Sequence, residues 1–175
     1  MIGFVLTEVE RILKKYQTRD SYELLDAIGA VTVFSNAYKS EGLKGYCTIM
    51  NRTMYAVIND KLNEYDKRIA AGHEAAHLLL HRDEILRSPV KAMRDFNLLD
   101  NSGHYEREAN AFLADFLLSD EDVLSAIEGD ETDFFSTARI LCIPAPLLAF
   151  KAYNMIKRGH RIQSPIDLDS RFLGR

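Results

Sequence analysis

The run His73-Glu74-Ala75-Ala76-His77 constrains this chain more than any other stretch of its sequence. It lies in a segment from Glu64 to about Arg82 where Ile69, Ala70, His73, Ala76, His77 and Leu80 share one broad face at helical spacing. No proline intrudes, and Leu78 to Leu80 extend the buried face. Residues four apart on a helix stand one turn apart on the same side, so both imidazoles can point at one cation. Zinc binds imidazole nitrogen, and a catalytic zinc site keeps one position open for water. Glu74 projects beside that position, where a carboxylate can take a proton from the attacking water and pass it to a leaving nitrogen. One rigid turn thus supplies two ligands and a base.

A third protein ligand has three candidates. Asp83 occupies the last position of a longer version of the motif, but Leu80 stands where that version needs a glycine bend. A helix continuing through Leu78-Leu79-Leu80 carries Asp83 past the metal. Glu106 and Glu108 lie on a second helix, from about His104 to Leu118, whose buried stripe is Ala109, Phe112, Leu113 and Phe116. Glu106, three before Ala109, shares the stripe and is preferred. Glu108, four before Phe112, is not excluded by periodicity and is the reserve. Asn110, four after Glu106, can hydrogen-bond a ligand. Glu74-x-x-His77 also matches half of a di-iron bundle site, but the sequence holds no second Glu-x-x-His. The remaining histidines have plainer readings. His81 packs or hydrogen-bonds near the site, His104 could touch a substrate oxyanion, and His160 reads as a helix-end charge. Tyr105 reads as a packing residue.

At 175 residues the chain suits one compact domain with an appended helical piece. A net charge of -4 and a pI near 5.7 argue against non-specific nucleic-acid binding. Cys47 and Cys142 belong to no Cys-x-x-Cys pair and read as two buried, reduced thiols. Met1 to Leu6 is too short for a signal peptide, and no apolar run approaches the roughly 18 residues of a membrane span. The expectation is a protein that works in the compartment where it is made.

Along the chain, the spacing predicts helices over Thr7–Tyr16 and Tyr22–Ile28, the latter capped by Asp20-Ser21 and ended by Gly29. Three β-like pieces follow, Ala30–Ser35, Gly45–Met50 and Thr53–Ile58, the last two flanking a turn at Asn51-Arg52. Arg87 to Gly103, with Pro89 and Asn101-Ser102-Gly103, reads as a loop around a short helix. Asp120 caps a helical run Val123–Glu128, and Thr132 to Gly159 reads as two helices separated by Ile143-Pro144-Ala145-Pro146. The polar tail after Gly159 reads as peripheral.

Ala71-Gly72-His73-Glu74-Ala75-Ala76-His77, followed by Glu106-Arg107-Glu108-Ala109-Asn110-Ala111-Phe112 and then Leu117-Leu118-Ser119, resembles the ImmA/IrrE-type metallopeptidases. The order of elements extends the likeness over nearly the whole chain. The resemblance implies an α+β, zincin-like fold, mostly helical with a small sheet. Residues 1–130 would form the peptidase core and residues 131–175 a helical extension packed on it. It implies His73, His77 and Glu106 as ligands of Zn2+ and Glu74 as catalytic base. It also implies a cytoplasmic protease that cuts or inactivates helix-turn-helix repressors, with no direct nucleic-acid or membrane partner. A sheet edge from Gly45 to Ile58 would hold the substrate extended by main-chain hydrogen bonds. The family commonly has alanine before the first histidine and glycine before the second, whereas this chain has Gly72 and Ala76. Gly72 weakens the helix by about 1 kcal/mol relative to alanine, and Ala76 adds a methyl; neither removes a chemical group.

Two other classes compete. A non-catalytic regulator could bind and sequester a repressor, although such a binder has no need of Glu74. The pair Ser136–Leu141 and Leu147–Met155 has a helix-turn-helix flavour, and Lys151, Lys157, Arg158 and Arg161 give that end a positive excess. In a negatively charged chain this reads as a partner-docking surface before it reads as a DNA reader.

Overall fold

A computed structural model describes residues 2–39, 42–88, 92–95, 99, 103–128 and 133–162. Helix α1 (Ile2–Tyr16) starts earlier than its periodic stretch and buries Val5, Val9 and Ile12, spaced three to four apart. Gln17, at φ 53°, ends it. The Asp20 side chain then accepts the Tyr22 and Glu23 amides and caps α2 (Ser21–Ala27). Gly29, at φ 76°, turns the chain into β1 (Ala30–Ser35). Strands β2 (Gly45–Met50) and β3 (Thr53–Asn59) form a hairpin through Asn51 and Arg52. Both turn residues have positive φ, the geometry that a two-residue hairpin loop needs.

Asn63 accepts the Asp66 amide and opens α3 (Glu64–Leu80). Helices α4 (Arg82–Arg87), α5 (His104–Leu117), α6 (Asp120–Ile127), α7 (Phe134–Ile140) and α8 (Ala145–Lys157) follow, with strand β4 (Ala92–Asp95) between α4 and α5. The architecture is α+β, largely helical with a four-stranded mixed sheet of order β1-β3-β2-β4. β1 runs parallel to β3, and the other pairs are antiparallel.

Two sequence expectations change here. The segment from Arg87 to Gly103, read as a loop around a short helix, holds β4; α4 is a separate helix before it, and residues 89–91, 96–98 and 100–102 lie outside the described residues. Ala92-Met93-Arg94-Asp95 is too short to show alternation; its main-chain pairing with β2 makes it a strand. That pairing also removes the proposed substrate-holding edge. Among the described residues β2 is flanked by β3 and, over Gly45–Thr48, by β4, and β3 by β1 and β2, so both are inner strands; the edges are β1 and β4. Pro89, the Asn101-Ser102 turn and the tail beyond Ile162 lie outside the described residues.

The chain divides into two compact units, residues 12–100 and residues 1–11 with 101–175. In the first, α3 packs on β2 and β3, with α2 and α4 beside it, over a core that includes Leu24, Leu25, Ile49, Ile58, Ile69 and Ile85. In the second, α5 packs on α8, and α7 meets both α6 and α8, around Phe112, Phe116, Leu147 and Met155. Among the described residues no single helix is long and apolar enough to cross a membrane.

Candidate metal centre

Helix α3 is buried on every side from Ile69 to Leu78. Ala70, Ala71, Gly72, Ala75 and Ala76 keep its girth small, so that it can lie close on β2 and β3. His73, Glu74 and His77 are each only 1% exposed, so the packed small residues set the functional groups in a water-poor interior.

The i, i+4 spacing brings His77 Nε2 to 3.0 Å from His73 Nε2. Two imidazole nitrogens on one tetrahedral zinc, with Zn–N of 2.0–2.1 Å, stand about 3.3 Å apart. The pair is within a few tenths of an ångström of that, and the donor atoms face each other, so they suit a shared divalent cation. The other nitrogen of the second ring, His77 Nδ1, lies 2.9 Å from Nδ1 of the buried His81.

Glu74 projects toward β2. A methyl group at Gly45 would stand 2.7 Å from Glu74 Oε1 and 3.3 Å from the Val57 carbonyl oxygen, so the carboxylate occupies room left by the missing side chain. Cys47, two residues along β2, is fully buried. Burial pushes its thiol well up from the ordinary value, and the charge and hydrogen bonding of Glu74 push it further, so it stays a neutral thiol beside the carboxylate.

These β2 residues escaped the sequence reading, which took Cys47 as an inert core thiol. The usable signal was a glycine at the head of a strand, which often marks a close approach by another group. Cys142 departs from expectation too: it is exposed, at φ 51° in the turn after α7.

The other candidates fall as follows. Asp83 is exposed on α4, beyond the helix break at His81 and off the α3 face. Glu106 sits half-buried in the first turn of α5, one turn before the fully buried Asn110. Glu108 Oε1 is 3.5 Å from His104 Nε2, so this glutamate and this histidine engage each other at the helix start. Tyr105 is exposed. His160 Nε2 reaches Asp120 Oδ2 at 2.9 Å, just beyond the end of α8.

Two cations of the C-terminal positive excess, Lys151 and Arg158, are paired within their own unit. Lys151, 2% exposed, places Nζ 2.6 Å from both Asp115 Oδ1 and Asp120 Oδ1, and Arg158 pairs with the same two aspartates. Helix α8 buries Leu147 to Ala152 and so presents no basic reading face along that stretch. Lys151 and Arg158 are thus taken up by Asp115 and Asp120, whereas Lys157 and Arg161 of the same positive excess are exposed.

Residues 29–140, from the start of β1 to the end of α7, match the family described as Peptidase_M78, IrrE N-terminal-like domain. A curated relative, "Uncharacterized immunity region protein 2" of Bacillus phage phi105, is 30% identical over 149 residues, covering 85% of this chain and 89% of the relative. No solved structure matches. The family match takes in both the α3 motif and the α5 glutamates: the chain belongs to the Peptidase_M78 family, the IrrE N-terminal-like metallopeptidases.

Proposed function

We propose that this chain is a cytoplasmic zinc-dependent endopeptidase that acts on a protein substrate, a helix-turn-helix transcriptional repressor. His73, His77 and Glu106 would hold the metal, and Glu74 would be the general base. The observation that carries the reading is the facing pair of buried Nε2 atoms, 3.0 Å apart, with Glu74 adjacent in the chain on the same buried helix. Two imidazoles and a carboxylate are a donor set that fits a catalytic zinc. Glu106 is preferred over Glu108 because it stands three before the buried Ala109 and so shares the buried stripe of α5.

When bound, zinc would supply Lewis acidity toward a water molecule and a peptide carbonyl. Glu74 takes the proton from the attacking water and delivers it to the leaving nitrogen. Its carboxylate is oriented before substrate arrives, seated over Gly45 and beside the Cys47 thiol. The buried surroundings strengthen each of these charge interactions relative to water. The phage relative's immunity-region name supports a repressor system as the substrate class.

Elemental analysis of the purified protein should find about one zinc per chain, lost or sharply weakened in His77→Ala and Glu106→Gln. Absence of metal after zinc is supplied would overturn the reading. Glu74→Gln should keep the metal and, on co-expression with helix-turn-helix repressors, leave intact the repressor that the wild type cuts. If both perturb the repressor equally without cleavage, the chain sequesters its partner instead.

A further inference from the structure

We infer that His81 is a positioning residue that sets the tautomer and ring orientation of His77; the inference rests on the metal reading above. Two links join these residues. The His81 amide donates to the His77 carbonyl at 2.9 Å, and the two Nδ1 atoms are 2.9 Å apart. His81 is 2% exposed and sits at the junction where α3 ends and α4 begins. Its carbonyl accepts the Ile85 amide at 3.0 Å, so its backbone is fixed from both sides.

The proton arrangement follows from the geometry. If His77 offers Nε2 to a cation, its one ring proton is on Nδ1, and that N–H donates to the Nδ1 lone pair of His81. His81 then carries its own proton on Nε2. The opposite tautomer of His77 would put a proton between the facing Nε2 atoms of His73 and His77, where the cation has to enter. Which nitrogen of a histidine binds metal is set by the hydrogen bond the other makes, and loss of such a partner typically costs 10–100-fold in metal affinity. Here the partner is a third histidine, one further turn along, where a carboxylate or carbonyl is more usual.

The test is the zinc dissociation constant, measured by competition with a chromophoric chelator, for wild type, His81→Leu and His81→Asn. Asparagine can place an acceptor oxygen near the position of Nδ1, and leucine cannot. The expected result is an affinity roughly 10–100-fold weaker for His81→Leu, mostly recovered in His81→Asn. The metal-free forms of the two variants should have similar thermal midpoints, which separates positioning from packing. Wild-type affinity in His81→Leu, or no recovery in His81→Asn, would overturn the inference and leave the peptidase reading standing. A wild type that binds no zinc would remove both. Should His81→Leu fail to fold, the ring-nitrogen NMR spectrum of the metal-free wild type at about pH 8 decides. The proton of His77 should be on Nδ1, and finding it on Nε2 would overturn the assignment.

Discussion

Gly45 is where a single atom decides the placement of Glu74. The β2 backbone comes so close to Glu74 that a methyl there would meet Oε1 at 2.7 Å, well inside van der Waals contact. Glu74 is nearly fully buried and has little room to retreat. Gly45→Ala should therefore cost about 1–3 kcal/mol, the usual range for overpacking. Part of that cost should return when Glu74→Asp draws the carboxylate back by one methylene. Chemical denaturation of the two single variants and the double variant measures the coupling; an equal cost in both backgrounds would mean that the methyl does not meet Glu74. At this scale the sequence showed the candidate groups and hid their surroundings. His73, Glu74 and His77 are related by local helix geometry. Gly45 and Cys47 reach Glu74 only across a helix–sheet contact, which no spacing rule encodes.

Helices α5, α6 and α8 are tied together by charge as well as by apolar packing. Asp115 of α5 and Asp120, the first residue of α6, both bind Lys151 of α8, and Asn154 donates to the Asp115 carboxylate at 2.6 Å and to the Ala111 carbonyl at 3.0 Å. Removing one partner of a buried pair costs on the order of 3–5 kcal/mol because it leaves the other charge uncompensated. Asp115→Ala should approach that loss in urea denaturation. Lys151→Met should cost much less, since it removes the buried charge and leaves Arg158 to pair with the aspartates. A loss below about 1 kcal/mol for Asp115→Ala would show that Asp120 alone suffices for Lys151. The elements themselves were legible where periodicity or caps mark them: α2, β1, β2, β3, α3 and α5. β4 was not, because four residues carry too little pattern; pairing with β2 defines it.

The same network gives the whole molecule an acid-sensitive stability. Burial opposes ionisation of Asp120, but hydrogen bonds from Lys151 and Arg158 outweigh it and hold the carboxyl below its ordinary range. The Ser136 amide does the same for Asp133, the cap of α7. A carboxyl lowered in the folded state contributes stability that is present above its unfolded value, about 3.9, and is lost as pH falls through the lower folded value. Denaturation at a series of pH values should show the loss setting in near pH 4 and deepening below it, with a shallower slope in Asp120→Asn. An unchanged slope in that variant would assign acid sensitivity to other carboxyls. Across the molecule, the sequence by itself determined the helix that carries His73 and His77, the hairpin and the α+β class. All of these rest on residues near one another in the chain. Only the tertiary structure decided that β2 and β3 lie inside the sheet, that Gly45 and Cys47 flank Glu74, and that Lys151 and Arg158 turn to Asp115 and Asp120. Each of those depends on contacts between distant segments, whose partners are chosen by packing and charge neutralisation once the chain has folded.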